Sequence, residues 1–452
     1  MSTFPPQPPV GPPGAWSFPV PAQGRLANGI RTLVYDLPGQ HVVSAHLMLD
    51  LPLNAEDRGQ EGVATICARV LDEGSQAHPG EEFAELMETE GAGFGVELTL
   101  AGTQAVLDVP ASRLDRALEL VAEAVTAPAL ADEDISRHVT LRLAEIEQAK
   151  ANSAQTAAHT FRALAFDPGA RASRMNGGEV ETVAAVTPDD VRAFHRRHYG
   201  PAGATLVLAG DFGSGTAGDP VALAEAHLGG WRRGEQARTP YQVPAAGRRG
   251  VVVVDRPGAV QADVRLGAYG IDRQDPRWAD ITVASYAMGG AFLSRLNAVL
   301  REEKGYTYGV RMAFAPLRSG GTFAVQGSFR TEVVADALRL TRELLQTGSR
   351  PFTSEEVREA VAYFVGVSPL RYATADGITD QVGNNVLLGL PLDYVDRSLT
   401  ALAEVTPESA TAAFEELVRL DELSLVVVGD ASVVAQPLRE VGFDDLEVRP
   451  AS

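Results

Sequence analysis

Cysteine, lysine and long apolar runs are scarce in this sequence, and each scarcity excludes something. The one cysteine, Cys67, rules out a disulfide within the chain and fits a reducing compartment. Its sequence neighbours are apolar and no histidine stands beside it, so it reads as a small core residue rather than a reactive thiol. Lys150 and Lys304 are the only lysines. The other basic residues are arginines, a bias of the kind a GC-rich genome produces. No apolar run reaches the roughly 18 residues of a membrane span. The opening MSTFPPQPPVGPPGAW lacks the basic-then-apolar pattern of a secretory signal. These features predict a cytoplasmic protein. The prolines of that opening suit an extended arm lying on the body of the protein or on a partner. Positive charge is in deficit as well: the formal net charge is −20. Such acidity supports solubility and disfavours nucleic acid or anionic membrane as a partner. Of eight histidines, none lies beyond His227.

What the sequence does contain is a copy of itself. Asp36-Leu37-Pro38-Gly39 and Asp255-Arg256-Pro257-Gly258 share the pattern D-x-P-G. Val186-Thr187-Pro188 matches Val405-Thr406-Pro407. The apolar runs TLVLAGD and LSLVVVGD end at Gly210-Asp211 and Gly429-Asp430. The offset is 219 in all three cases. The chain is therefore two copies of one domain of about 210 residues.

Each copy runs through the same order of elements. A strand (30–35 and 251–255) leads into the D-x-P-G turn, where Pro presets φ and Gly tolerates a positive φ. A second strand follows (42–50 and 262–270), then a helix. The stretch 95–110 alternates with period two, and 114–126 has helical amphipathicity, matched by 333–348 in the second copy. Long helical stretches cover roughly 131–165 and 354–370. Thr187 and Thr406 are expected N-caps with Pro at the first helical position. The expected fold class is α+β, with two duplicated domains, each an antiparallel-rich sheet with helices packed on one face. The boundaries read as a proline-rich arm over 1–24, a first domain over 25–228, a linker over 229–247 and a second domain over 248–452. The linker is rich in Gly, Arg and Pro and is expected to be exposed.

Two passages carry a resemblance. MGGAFLSRLNAVLREEKGYTYGV (288–310) contains G-G-x-x-x-S-R-L before a helix ending R-E-x-x-G-x-x-Y, and HRRHYGPAGATLVLAGD (195–211) closes the first copy. On these the sequence resembles the pitrilysin/insulinase family of zinc peptidases, in its short-subunit, mitochondrial-processing-peptidase-like form, over about residues 25–450. The resemblance implies half of a clam-shell, with two halves enclosing a chamber. It also implies a zinc motif, H-x-x-E-H, on a first-domain helix. That spacing puts two imidazoles on one helix face around the metal and a glutamate beside its water. The segment GVATICARVLDEGS (62–75) reads as that helix, closed by Gly74-Ser75. Aligned there, the motif positions fall on Thr65, Ala68 and Arg69. Thr is a poor zinc ligand, Ala cannot act as a base, and Arg puts a fixed positive charge in the metal's place. The family's third ligand, a Glu about 76 residues further on, corresponds to Glu145, and an acid often found seven residues before it corresponds to His138. The expectation is a chain that holds no metal, with Glu145 paired to Arg69. His195 and His198 form H-x-x-H without an acid at the right place, and are read as surface or capping residues.

The resemblance also implies that an Arg and a Tyr of the second domain face the zinc across the chamber. Here they are Arg301 and Tyr308, with Gly305 turning the chain between them. The Tyr hydroxyl can donate to the oxyanion and the Arg can hold substrate carbonyls. The expected function is that of a metal-free subunit of a heterodimeric zinc metallopeptidase. Its partner would be a homologous chain with an intact H-x-x-E-H and the zinc, and its substrate an unfolded peptide bound by strand addition to a sheet edge. Two other readings stand beside it. One is a non-catalytic scaffold or peptide-binding shell. The other is a homodimer that uses Arg69 and Arg301 to hold C-terminal carboxylates. The long glycine-rich substrate loop of the mitochondrial non-catalytic subunit has no counterpart, because MGGAF passes straight into LSRLN.

Overall fold

The computed structural model describes residues 16–232 and 236–450. Residues 1–15 of the proline-rich arm lie outside the described residues. Two six-stranded sheets form, one in each copy. The first contains β1 (Ala22–Arg25), β2 (Arg31–Asp36), β3 (Val42–Leu49), β4 (Gly93–Leu98), β5 (Thr103–Pro110) and β6 (Thr205–Gly210), in the order β1-β2-β6-β3-β5-β4. The second contains β7 (Val251–Asp255), β8 (Gln261–Gly270), β9 (Val310–Pro316), β10 (Gly321–Arg330), β11 (Ser424–Gly429) and β12 (Leu446–Pro450), in the order β12-β7-β11-β8-β10-β9. Both sheets are mostly antiparallel. The parallel pairs are β2 with β6, β7 with β11, and β12 with β7.

The repeated motifs meet in space. Gly39 N–H donates to Asp211 Oδ2 at 2.9 Å, and Gly258 N–H donates to Asp430 Oδ2 at 2.7 Å. Each D-x-P-G glycine has a positive φ and offers its amide to the aspartate that ends the neighbouring parallel strand. The repeat at offset 219 is thus a turn lock used twice. Thr187 and Thr406 cap the helices Pro188–His198 and Pro407–Leu417, accepting from Asp190 N at 3.2 Å and Ser409 N at 3.1 Å.

Each sheet packs its own helices on one face. In the first, Ala45, Leu47 and Leu206 meet Leu118 and Val121 of the helix Leu114–Thr126. In the second, Val264, Leu266 and Leu425 meet Val334 and Leu338 of the helix Val334–Leu344. The opposite face of each sheet is covered by a helix of the other copy. Ala157, Phe161 and Ala165 of the helix Ser153–Ala165 pack on Val252, Val254, Val426 and Val428. Ile378 and Val382 of the helix Ala375–Leu388 pack on Leu33, Tyr35, Val207 and Ala209. This exchange explains why β6 and β11 are buried along their whole length. It also corrects the long helix expected over 131–165. The chain breaks at Asn152, whose side chain caps the second helix by accepting from Gln155 N at 3.0 Å. The first helix stays with the helices of its own copy and the second crosses over. Residues 236–247 run largely exposed along the first copy, tied by Asp167 N to Ala245 O and Gly247 N to Ala165 O.

The crossing buries one titratable group. His46 on β3 is 1% exposed, and its Nε2 lies 3.3 Å from both Ser44 Oγ and Thr379 Oγ1, the latter on the exchanged helix. Burial lowers the His46 pKa to about 4, against the opposing pull of Glu97 and Asp376. An unfolded histidine titrates near 6.5, so the unfolded state takes up the proton first as pH falls. The stability this group confers is full above about pH 6.5 and is lost as pH drops toward 4, to a total of about 3 kcal/mol. Urea unfolding across that window should show this slope in the wild type and a flatter one in His46→Gln. Parallel curves would refute the assignment.

Candidate functional site

The segment expected as one helix over 62–75 is helical only over Val63–Arg69. Val70–Gly74 turns away, and Gly74 takes φ +115°, where a Cβ would stand 2.5 Å from His78 O. The helix starts at Gly62, and its first amides are held from behind. Glu56 Oε1 accepts from Gly62 N at 2.8 Å and from Ala64 N at 2.9 Å. Val63, Ala64, Ile66, Cys67 and Ala68 are buried, while Thr65 and Arg69, one turn apart, share a half-buried face. Burial pushes the Cys67 thiol up to about 12, which suits a core residue.

On that face stands an ion pair. Arg69 Nη1 donates to Glu145 Oε1 at 2.8 Å and Nη2 to Oε2 at 2.9 Å, a two-pronged geometry. Arg142 adds a third bond to Glu145 Oε2 at 3.1 Å and is itself anchored on Gly177 O. The bond from Arg69, with help from Arg142, holds the Glu145 carboxyl below the usual range. The residues present do not fit a zinc ion. Thr65 is a weak donor, Ala68 has none, and the one carboxylate at hand is neutralised by guanidinium groups. The helix packs against β4 and against the Asp132–Ala151 helix that carries Glu145. β4 ends the first sheet, and none of its six residues is buried.

Beyond the pair, Asp72, Glu73 and His138 bring donor atoms within 4.8 Å of one another. His138 Nε2 is 2.7 Å from Glu73 Oε1, and Arg137 donates to Glu73 Oε2 at 2.8 Å. Both oxygens of Glu73 are engaged, one of them by a cation that would repel a metal ion. His195 and His198 correct the reading of them as surface residues, while His195 does cap, at the last turn of the Leu114–Thr126 helix. They lie on the buried face of their helix with Val191 and Phe194, and His195 Nε2 is 2.9 Å from Val125 O.

In the second copy, Arg301 lies in a π-helical stretch, Ala298–Glu303. Gly305 follows with φ +62° and lets Tyr306 N return to Leu300 O at 2.9 Å. Arg301 donates to Phe292 O at 2.8 Å and to Glu302 Oε1 at 2.7 Å, and its guanidinium sits 3.7 Å from the centre of the Phe292 ring. Tyr308 is 95% exposed. Among the described residues its hydroxyl bonds to no group, Arg301 included.

Sequence reasoning did not reach the buried network behind the site. Arg171 pairs with Glu56, and Arg174 with Glu61, with side chains 18% exposed or less in every case. These residues sit in polar stretches with no motif, so only the fold reveals them.

Comparison with known proteins places this arrangement. Residues 31–172 match the family model described as Insulinase (Peptidase family M16), and residues 185–364 match the Peptidase M16 inactive domain. An uncharacterized zinc protease of Streptomyces coelicolor is 25% identical over 408 residues, 89% of this chain and 88% of that one. A protein of Helicobacter pylori named non-peptidase homolog YmxG is 23% identical over 381 residues, 83% of this chain and 86% of its own. Among solved structures, a peptidase M16 inactive domain from Pseudomonas fluorescens superimposes with a TM-score of 0.83 at 24% identity, covering 91% of this chain and 98% of that one. A protease from Helicobacter pylori does so with a TM-score of 0.81 at 16% identity, covering 91% and 99%. With residues 31–172 and 185–364 matched by these models and the duplicated fold shared over 91% of the chain, the chain belongs to the insulinase peptidase family, M16.

Proposed function

We propose that this chain is the metal-free subunit of a heterodimeric zinc metallopeptidase. The observation that carries the reading is the Arg69–Glu145 pair, a closed, self-neutralised contact at the two positions where the family resemblance would put zinc ligands. A chain built in this way contributes something other than metal. Tyr308 offers a hydroxyl with no partner of its own among the described residues. Set opposite a zinc site carried by a homologous chain, it would donate to the peptide carbonyl oxygen as negative charge develops there. Arg301, stacked on Phe292, would hold neighbouring carbonyls. The unburied edge strand β4 suits an extended, unfolded peptide added as a further strand.

The test is a tagged pull-down from the native host with mass spectrometry of whatever co-purifies in near-equal amount. A homologous chain with an intact H-x-x-E-H supports the reading. Recovery of the protein alone or with unrelated chains sinks it. In the reconstituted pair, Tyr308→Phe should lower kcat about 100-fold while leaving assembly intact, the size of one lost oxyanion donor. Unchanged turnover would remove Tyr308 from the mechanism.

A second reading, a peptide-binding shell with no peptidase role, draws on the relative named as a non-peptidase homologue. The engagement of Arg301 by Glu302 also favours it. Peptide binding without cleavage by any assembly of the chain would establish it.

A further inference from the structure

The arginines at the metal and Arg/Tyr positions are engaged, Arg69 by Glu145 and Arg301 by Glu302 and Phe292. Two others are not. Arg265 on β8 and Arg311 on β9 both stand opposite Gln326 on β10, so the three side chains form one row across the second sheet. Val264, Leu266 and Met312, their neighbours along the strands, point into the core, which places the row on the other face. Arg265 donates to Gln326. Among the described residues neither arginine has a carboxylate within ion-pair distance. Arg162, from the exchanged helix Ser153–Ala165, reaches the same space and bonds only neutral groups, Ala172 O and Asn176 Oδ1.

All three arginines line one cavity of about 670 Å³, walled also by Leu98, Phe161 and Phe314, and among the described residues no carboxylate lines it. A second cavity of about 550 Å³ shares Arg265, Arg311 and Gln326 and continues to Tyr308. Asp263 is the one carboxylate there, and it is occupied by Ser328. In a chain with 59 acidic residues against 39 basic ones, a groove lined by three guanidinium groups and one carboxylate, Asp263, departs from the whole. Burial lowers the pKa of Arg265 and takes that of Arg162 down to about 10, with Arg171 and Arg174 adding to the second shift. A carboxylate is the ligand that relieves both burdens, because its two oxygens match the guanidinium fork.

We propose that this groove binds a peptide through a carboxylate seated on Arg265 and Arg311, with its apolar walls taking the adjoining side chains. The proposal rests on the peptide-binding reading above and names its substrate class, an acidic peptide segment or a peptide C-terminus. It requires only this chain.

The experiment is fluorescence anisotropy on the purified full chain with three N-terminally labelled peptides of equal length. One carries glutamates and an amidated C-terminus, one carries glutamines and a free C-terminus, and one carries glutamines and an amide. At least one carboxylate-bearing peptide should bind about tenfold tighter than the neutral one, and which one does so separates side-chain from terminal recognition. Added salt should narrow the preference. Arg265→Gln with Arg311→Gln should abolish it at an unchanged unfolding midpoint. Arg311→Gln alone, at an exposed position, should reduce it and carries the test if the double variant misfolds. Equal binding of all three peptides, no binding of any, or a preference that survives the substitutions overturns the proposal. No partner enters the assay, so its outcome and that of the pull-down are independent.

Discussion

Thr65→His combined with Arg69→His should give a chain that binds zinc, whereas Thr65→His alone should not. Residues 65 and 69 are one turn apart on the half-buried face of the Val63–Arg69 helix. Two imidazoles there take the i, i+4 geometry of a zinc pair. The third ligand is already in place, because the side chain of residue 69 reaches the Glu145 carboxylate directly. Removing Arg69 deletes the cation beside that carboxylate and frees the carboxylate at the same time. Arg142 keeps one bond to Glu145, but it has a second anchor on Gly177 O and can release the acid. The double variant should retain close to one zinc per chain after dialysis, and the single variant about a hundredfold less at the same free zinc. Metal analysis by mass spectrometry decides it. A folded double variant without zinc would show that more than Arg69 closes the site. The variant should still not hydrolyse peptides, since Ala68 is 1% exposed and the base position is sealed in the core. A metal is thus kept from residue 69 by charge, and a base from residue 68 by packing.

The parts of this architecture that could be read from sequence are those governed by local rules. The D-x-P-G turns and the V-T-P caps announce themselves because a turn or a cap needs particular residues at adjacent positions, and the duplication shows each of them twice. The Arg69–Glu145 contact was also accessible, because a family spacing of about 76 residues pointed from one side chain to the other. The exchange of the Ser153–Ala165 and Ala375–Leu388 helices was not. Their apolar stripes state that each has a buried face but not which sheet receives it, and that choice is made by contacts far away in sequence, from Val252 to Val428 for the first and Leu33 to Ala209 for the second. The break at Asn152 has a local cap, yet the surrounding residues are good helix formers and mask it. His195 and His198 misled because polarity suggested surface, while their spacing with Val191 and Phe194 marks the buried face. Arg265 and Arg311 have no motif, and their meaning appears only when the register sets them beside Gln326.

Arg171→Ala should destabilise the protein by about 3–5 kcal/mol, and Arg69→Ala by no more than about 1 kcal/mol, although both remove an arginine from a glutamate. The difference lies in burial. The side chains of Arg171 and Glu56 are 4% and 0% exposed, against 33% and 42% for Arg69 and Glu145. Arg171 donates to Glu56 Oε2 from Nη2 at 2.9 Å, and to Met175 O and Asn176 O at 2.9 and 2.7 Å. Truncation leaves a buried carboxylate and two part-buried carbonyls without these donors. Burial already pushes the Glu56 carboxyl up, with Arg171 the leading opposing influence, so without Arg171 the acid must take a proton or unfold its surroundings. Removal of Arg69 leaves Glu145 in contact with solvent and with Arg142 still bonded. Urea unfolding of the two variants against wild type measures both costs, and equal costs would mean that burial does not set them. The larger cost also falls on the site. Glu56 holds the first amides of the Val63–Arg69 helix, so a carboxyl that protonates or shifts loosens the element that presents Arg69. Hydrogen exchange at Gly62 and Ala64 should therefore rise in Arg171→Ala and stay at the wild-type level in Arg69→Ala. The buried Arg171–Glu56 pair thus holds the start of the Val63–Arg69 helix independently of what its exposed face carries.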